Sequence, residues 1–311
     1  MIAGLKDRVV DSATDLFSHG PQPLENTLDY MDDPGLLGPD SVSWSVVGDA
    51  CAFVGGIRAL LVQTAHPEVV AGVEDHSRYR SDPLGRLTRT SAYVTATTYG
   101  AMPEVSAAVA AVTGAHRGVS GRSARGKAYS AADPELTAWV HNVLTDSFLT
   151  AYEEYGAAPL SSEDADRFVL EQTAIGALLG AAPLPNDAAS LRDWVREHAA
   201  IEPSEAQQQS IDFLRDPPLP AHVKFGYRLL FRAAAASLPA GLSSVIDVES
   251  GRLDRVLGSA AVRGLRWSLG SSPSWHVALV RSGAVVPDGL FRQPFGDDVV
   301  ASSSARKPAT G

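Results

Sequence analysis

The amino-acid sequence predicts an all-α fold in a single helical domain, and three observations support this prediction. Apolar side chains recur every three or four residues in most segments between residues 44 and 238, which is the spacing of one helix face. Acidic N-caps and prolines in the first turn mark where several of these segments begin. Strand-like alternation is confined to short pieces such as Trp275 to Val280.

The individual helices follow from their start and stop signals. The clearest begins at Asp133-Pro134-Glu135, and its apolar residues recur until Gly156 ends it. A capping pattern at Ser161-Ser162-Glu163-Asp164 begins a second helix, which runs to Gly180. Further helices are predicted to begin at Asp82-Pro83 and at Met102-Pro103-Glu104, and to lie within residues 44–65, 188–199, 204–214 and 220–238.

Composition narrows the function classes. The chain has 311 residues, 26 basic and 36 acidic side chains, and a formal charge of −10, which argues against general binding to nucleic acids or anionic membranes. The single Cys51 excludes an internal disulfide framework and fits a reducing compartment. We find no export signal, so we expect a cytoplasmic protein. The apolar stretch from Cys51 to Ala65 carries Arg58 and is too short to span a bilayer, which predicts a buried helix.

The chain divides into three parts by composition. Residues 20 to 42 are rich in proline and glycine, which predicts an irregular N-terminal arm over residues 1–42 that packs on the domain. Residues 43–295 form the helical domain, and residues 296–311, with three consecutive serines, are expected to be a disordered tail.

The common sequence motifs of nucleotide-binding proteins, hydrolases and di-iron proteins are incomplete or absent. The segment from Gly121 to Ala128 nearly spells a phosphate-binding P-loop, but a helix precedes it and Ala128 stands where Ser or Thr should hold magnesium. The sequence contains no GxGxxG, HExxH or GxSxG motif. It also lacks the Glu-x-x-His motif of ferritin-like di-iron proteins.

His116 lies on an apolar stripe. Val105, Val109, Val112, His116 and Val119 recur at helical spacing, so the imidazole occupies a position typical of core residues. One interpretation is a core histidine satisfied by a backbone carbonyl. The other is a metal or haem ligand, which requires a neutral imidazole in an apolar wall.

The preceding helix carries an unusual polar face. Arg86, Arg89, Thr90, Tyr93 and Thr97 lie along one side of it. Such arginines often form a solvated face, but threonine and tyrosine are poor choices for a solvent-facing helix. Two fixed positive charges one turn apart also suit carboxylates, including haem propionates.

These residues belong to a run that resembles the MpaB-type oxygenases, a family that includes the latex clearing proteins, or rubber oxygenases. The segments that carry the resemblance are Asp75 to Thr90, Tyr99-Gly100, His116 to Gly121 and Asp133 to His141, with extensions through Gly56 to Pro67 and His222 to Arg228. The resemblance therefore covers most of the chain.

The resemblance implies a globin-like helical core and a non-covalent haem b whose iron is held by a histidine. His116 matches that histidine. Latex clearing proteins carry an Arg-x-x-Lys-Thr motif on the opposite, distal side of the haem, and this chain reads Arg86-Leu87-Thr88-Arg89-Thr90. Arg86 and Thr90 match, whereas Arg89 replaces the lysine. Because a guanidinium stays protonated, iron ligation by a distal lysine does not carry over.

The implied reaction is dioxygen activation on haem iron held by His116. Arg89 and Thr90 would polarise the bound oxygen, and Arg86 would hold a propionate or join them, with Tyr93 lining the pocket. The implied substrate is an apolar olefinic or isoprenoid small molecule, with an electron donor as a further partner. The alternatives are a haem-binding protein without turnover, such as a gas sensor or haem carrier, and a haem-free helical scaffold.

The other histidines have competing interpretations. His76 can line the pocket or serve in a cap or turn, and His141 can lie beside the haem or simply pack in the core. His66 precedes Pro67 and is expected to mark a helix end. His198 is near a helix end and is expected on the surface.

Overall fold

The computed structural model describes residues 23–292, together with Lys6 and Val10. Its described part contains 13 α-helices, a 3-10 turn at Thr27–Tyr30 and one β-hairpin, which confirms the predicted all-α single domain. The predicted tail 296–311 lies outside the described residues. The α-helices are α1 (Val42–Gly48), α2 (Ala52–Gln63), α3 (Pro67–His76), α4 (Pro83–Tyr99), α5 (Met102–His116), α6 (Pro134–Tyr155), α7 (Ser162–Leu178), α8 (Ala188–Arg196), α9 (Glu205–Arg215), α10 (Ala221–Ala236), α11 (Ala240–Ile246), α12 (Arg252–Leu269) and α13 (Pro273–Ser282).

The core is built around α2 and α6, which pack closely along their length. Helix α6 begins as predicted, because the Asp133 carboxylate accepts a hydrogen bond from Glu135 N at 2.8 Å. Its buried Trp139 and Leu149 join Leu61 and Val62 of α2 in the main apolar cluster. The prediction that the Cys51 to Ala65 stretch forms a buried helix is therefore confirmed.

A second apolar cluster joins α1, α4 and α13, and it receives the described part of the N-terminal arm. Trp44 donates through Nε1 to Thr98 O at 2.7 Å, and Tyr99 donates to Trp44 O at 2.8 Å. The fully buried Arg281 donates to Tyr99 O at 2.6 Å and to Thr27 Oγ1 at 2.8 Å. These bonds hold residues 27–33 of the arm against α4 and α13.

The segment that resembles a P-loop forms an antiparallel β-hairpin of β1 (Ser120–Arg122) and β2 (Ala128–Ser130), with Gly121 opposite Tyr129. Gly126 in its turn has a φ of 80°, a conformation that favours glycine. The hairpin is not the strand, loop and helix unit that a P-loop requires, so this segment is not a P-loop.

Several local predictions were wrong. Residues Trp275 to Val280 lie in α13 and not in a strand, because Pro273 starts a helix whose inward face buries Ala278, Leu279 and Arg281. The candidate 44–65 is two helices, α1 and α2, which meet at an angle of 88°. Helices α3, α11 and α12 had no prediction. In the described part of the chain, no single helix is long and apolar enough to cross a membrane, although α1 and α2 meet the criteria jointly.

Candidate functional site

Helices α4 and α5 form an antiparallel hairpin that carries most of the predicted site residues. Helix α4 begins where the Asp82 carboxylate accepts a hydrogen bond from Gly85 N at 3.0 Å, next to Pro83 at the first helical position. Helix α5 begins where the Glu104 carboxylate accepts from Ala101 N at 2.8 Å. Only Gly100 and Ala101 connect the two helices, which pack against each other.

His116 is the last residue of α5 and lies on a stripe that the protein only partly covers. Val105 is the one buried residue of this helix, whereas Val109, Val112 and His116 are half-buried. The His116 ring has no hydrogen-bond partner in the described part of the chain, so the backbone carbonyl expected for a core histidine is not found there. Burial lowers the pKa of His116 and favours the neutral imidazole.

Arg86 of α4 is half-buried and forms no ion pair with a described carboxylate, although the Glu74 carboxylate is near enough to act on its charge. Its Nη1 donates to Ser77 Oγ at 3.2 Å, and its guanidinium carbon lies 5.6 Å from the centre of the Tyr79 ring. Burial lowers the pKa of Arg86, which is a sign that its charge is poorly solvated. An anionic group placed beside Arg86 would relieve that cost.

Arg89 and Thr90 face solvent. Arg89 is 57% exposed and forms an ion pair with Asp82 at 3.2 Å. The Thr90 hydroxyl donates back to Arg86 O at 3.1 Å within its own helix. Of the two interpretations of the polar face of α4, the solvated one therefore applies at Arg89 and Thr90.

Tyr93, one turn further along α4, has a buried hydroxyl without a hydrogen-bond partner in the described part of the chain. Burial raises the pKa of Tyr93, so the phenol stays protonated. The neighbouring Thr97 is buried and satisfied, since its hydroxyl donates to Tyr93 O at 2.9 Å. Buried hydroxyls are almost always paired, so the Tyr93 donor is available to a bound molecule.

His76 ends α3 and is exposed. Its Nε2 lies 3.1 Å from Ser120 O, four residues after His116, and its ring meets Tyr129 edge-on. The adjacent Ser77 accepts the hydrogen bond from Arg86. This chain of contacts brings His76 and Arg86 to the same end of the hairpin as His116.

His141 lies elsewhere, between α6 and α7. It is buried, and its Nε2 lies 2.9 Å from Gln172 O. The ring packs so closely against Gly176 that a Cβ at that position would approach His141 Cδ2 to 2.7 Å. Burial lowers the pKa of His141 to about 4. In the described part of the chain no hydrogen bond connects it to α4 or α5, and its environment is that of a packed core residue.

A shallow apolar groove runs along the outer side of α5. Its volume is about 400 Å³, and Leu178 at the end of α7 forms the opposite wall. It shares Val105 and Val109 with the stripe that ends at His116. Sequence periodicity does not predict this groove, because its wall depends on how α7 ends beside α5.

An aromatic and histidine cluster was also missed. The ring of His198 packs against Trp194 and Trp139, at centroid distances of 4.7 and 4.9 Å, and lies 5.4 Å from that of His66. The expectation that His198 lies on the surface was therefore wrong, because the chain after α8 turns inward over Trp139. His66 lies between α2 and α3, where a helix end was expected, and burial lowers its pKa to about 4.

A polar cleft of about 410 Å³ lies on another side of the molecule, with the buried Arg58 as part of its lining. Arg58 Nη1 donates to Asp146 at 2.7 Å and to Ser147 Oγ at 2.8 Å. Among the described residues, no group of three or more histidine, cysteine, aspartate or glutamate side chains is arranged to hold a metal ion.

Comparison with known families gives one match. The sequence profile of the family described as ER-bound oxygenase mpaB/B'/Rubber oxygenase, catalytic domain, matches residues 44–267. Searches of curated proteins and of solved structures give no significant match. The matched residues cover well over half of the chain and include the whole α4–α5 hairpin. The chain belongs to this MpaB and rubber oxygenase family, and it is therefore an enzyme of the oxygenase type.

Proposed function

We propose that this protein is a haem b-dependent oxygenase that acts on an apolar small molecule of the olefinic or isoprenoid kind, with His116 as the protein ligand of the iron. The observation that carries the proposal is the His116 ring, which is half-buried, neutral and without a hydrogen-bond partner in the described part of the chain. A neutral imidazole nitrogen with no other partner is what haem ligation requires.

Side chains of the α4–α5 hairpin that carries His116 have the chemistry that a haem group requires. Its propionates need cationic or hydrogen-bonding partners, and Arg86 supplies a half-buried guanidinium that forms no ion pair among the described residues. Tyr93 adds a buried hydroxyl that has no partner among the described residues. The half-buried valines of α5 offer the apolar surface that a porphyrin face covers. When bound, ferrous haem supplies the site at which dioxygen is bound and activated.

The side chains have separate tasks in this proposal. His116 holds its neutral ring toward the cofactor, since burial opposes its protonation. Tyr93 keeps its proton and can donate one hydrogen bond into the site. A guanidinium has only donor groups, so Arg89 can donate hydrogen bonds but cannot accept them. His76 lies at the hairpin end as a surface partner of Ser120.

Arg89 and Thr90 would need a rearrangement before their side chains could face the cofactor site. The Arg89–Asp82 pair is exposed on both sides, and exposed pairs contribute less than about 1 kcal/mol. Rotation of the Arg89 side chain away from Asp82 is therefore inexpensive. The groove along α5 supplies an apolar surface for the substrate, and an electron donor would complete the cycle.

The first experiment is reconstitution of the purified chain with hemin, followed by absorption spectra before and after dithionite and carbon monoxide. We expect a Soret band that shifts with both reagents. His116→Ala should lose at least about tenfold in haem affinity, since the sole iron ligand is removed, and should remain helical by circular dichroism. His222→Ala, on the exposed surface of α10, is the matched control and should bind haem normally.

Two results would contradict the proposal. The first is a wild-type protein that takes up no hemin, which would leave a haem-free scaffold of the oxygenase family. The second is His116→Ala with the haem affinity of wild type. Arg89→Ala should keep haem and change oxygen consumption with an olefinic substrate. Unchanged kinetics in that variant would remove Arg89 from the reaction.

One observation favours a second candidate, a haem-binding protein without turnover. Arg89 and Thr90 face solvent, so the side of α4 assigned to oxygen chemistry is not assembled around a pocket. A gas sensor or haem carrier would need His116 and Arg86 but not these two residues. Carbon monoxide binding by the reconstituted protein, without oxygen consumption on any olefinic substrate, would support this candidate.

A further inference from the structure

The outer face of α12 carries large apolar side chains that the described part of the chain leaves uncovered. Leu253 is 66% exposed, Val256 61% and Trp267 43%, and Leu257 is also exposed. Their spacing of three, four and fourteen residues from Leu253 places them along one side of the helix. A contiguous exposed apolar stripe of this kind marks an interaction surface.

The neighbouring helix α10 carries one further exposed aromatic side chain. Arg232 near the end of α10 pairs with Asp254 in the first turn of α12 at 3.0 Å, and the two helices pack along their length, so they run antiparallel. Phe225 near the start of α10 therefore lies level with the end of α12 that carries Trp267. Phe225 is 72% exposed. We call these five apolar residues, Leu253, Val256, Leu257, Trp267 and Phe225, the α12 face.

The charge of these two helices is opposite to that of the whole chain. They contain seven of its 26 basic side chains and one of its 36 acidic ones. Five of the seven have acidic partners: Lys224 and Arg228 pair with Asp216, Arg232 with Asp254, Arg255 with Glu154 and Arg266 with Asp49. Arg252 and Arg263 are exposed and have no ion pair in the described part of the chain.

These two free arginines border the α12 face. Arg252 precedes Val256 by four residues, and Arg263 precedes Trp267 by four residues, so each lies one turn from an apolar member. Tryptophan, phenylalanine and leucine on one side with arginine at the border is the pattern of a helix that lies at a membrane surface. Guanidinium groups bind lipid phosphates, which a neutral apolar protein surface does not offer.

We propose that the α12 face lies on the surface of an anionic lipid bilayer, with its apolar side chains at the boundary of headgroups and acyl chains and Arg252 and Arg263 on lipid phosphates. The net charge of −10 argues against a membrane for the chain as a whole. All but one of the acidic residues lie outside α10 and α12. An anionic bilayer would therefore repel the rest of the protein surface, and the α12 face would be the side that approaches it. This proposal does not depend on haem.

The test is flotation of the full chain with vesicles of phosphatidylcholine alone or with one third phosphatidylglycerol. We expect the protein to float with the anionic vesicles at least about tenfold more than with the neutral ones, and to be released at about 0.5 M salt. Leu253→Asp with Val256→Asp should abolish flotation, and Arg252→Glu with Arg263→Glu should reduce it at least about tenfold. Leu170→Asp on the exposed side of α7 is the matched control and should float as wild type.

Three results would overturn the proposal. Wild-type protein that floats with neither vesicle excludes a membrane role for the face. Equal loss of flotation in Leu170→Asp shows a nonspecific effect of added charge. A dimer in solution that Leu253→Asp with Val256→Asp converts to monomer, without vesicle binding by wild type, assigns the face to a second copy of the chain. Circular dichroism of each variant separates these results from misfolding.

Discussion

The buried Arg58–Asp146 pair gives the most direct test of how the core is held together. Arg58 lies on α2 and Asp146 on α6, their side chains are 2% and 4% exposed, and Nη1 lies 2.7 Å from Oδ2. Ser147 Oγ accepts the second hydrogen bond of Arg58 Nη1 at 2.8 Å, and Arg58 Nε has no partner among the described residues. The pair therefore joins the two central helices with a charge that has little other support.

Asp146→Ala should destabilise the protein substantially, because it leaves the Arg58 charge buried with Ser147 as its remaining partner. Removing one member of a buried pair usually costs about 3–5 kcal/mol. Arg58 is buried but lines the polar cleft, so water can reach part of its guanidinium once the Asp146 side chain is gone. We therefore expect a loss near the lower limit, about 3 kcal/mol in the free energy of unfolding.

The double variant Arg58→Met with Asp146→Leu separates the pair from the loss of a buried charge. It removes both charges and fills similar volume, and such replacements are often close to neutral. It should therefore be more stable than Asp146→Ala. Arg215→Met breaks an exposed pair with Asp212 and serves as the control, with an expected loss below about 1 kcal/mol.

The measurement is guanidinium chloride unfolding followed by circular dichroism. The free energy of unfolding, taken from the midpoint and the slope of each curve, is compared among the variants. A loss below about 1 kcal/mol for Asp146→Ala would show that the pair contributes no more than a surface one. A double variant that is as unstable as Asp146→Ala would refute the charge argument and assign the loss to packing.

Two further predictions concern acid stability and helix packing. Since burial lowers the pKa of His141 from 6.5 in the unfolded chain to about 4 in the folded one, the unfolded state binds more protons between these values. Protonation of His141 should thus cost about 3 kcal/mol of stability as the pH is lowered from 7 to 4. In urea titrations at the two pH values, His141→Asn should lose correspondingly less stability than wild type, and the same loss in both proteins would contradict this. Gly258→Ala should destabilise by about 1–3 kcal/mol, although alanine favours a helix by about 1 kcal/mol, because the new methyl group meets Ala233 of α10 below van der Waals distance. Gly264→Ala on the same helix, with open space around it, should be neutral or stabilising in thermal unfolding, and equal effects at the two glycines would refute the packing argument.

The sequence predicted helices best where local signals and periodicity agree. Asp133 and Pro134 fix the start of α6, and Ser161 fixes the start of α7 through its hydrogen bond from Asp164 N at 3.0 Å. Trp275 to Val280 misled because a six-residue alternation fits a strand and a short helix equally well. Helix α12 was not predicted, because Gly251 at its start has no side chain that could cap it. Several of the large apolar residues of α12 are exposed, so they do not mark the face that packs on the core.

The sequence predicts which helices carry the candidate residues, but it does not predict which of these side chains are covered by other segments. The spacing placed His116 on an apolar stripe, and its ring is half-buried there. The same reasoning grouped Arg86, Arg89 and Thr90 on one face of α4. Their different exposure depends on Ser77 and Tyr79, which approach from the end of α3 and cover Arg86 alone. Contacts between segments that are distant in sequence decide this, and periodicity carries no information about them.

The separation between core and hairpin bears on how the His116 variant should be interpreted. The core around α2 and α6 closes without α5, which buries Val105 as its single residue, whereas α6 buries residues along its whole length. The His116 ring has no hydrogen bond in the described part of the chain and belongs to neither apolar cluster, so its loss should leave the core intact. A ligand that binds only the folded hairpin would stabilise it by mass action. Under the proposed function, haem loading and folding of the core are distinct events, so loss of haem in a fully helical His116→Ala would report on ligation and not on the fold.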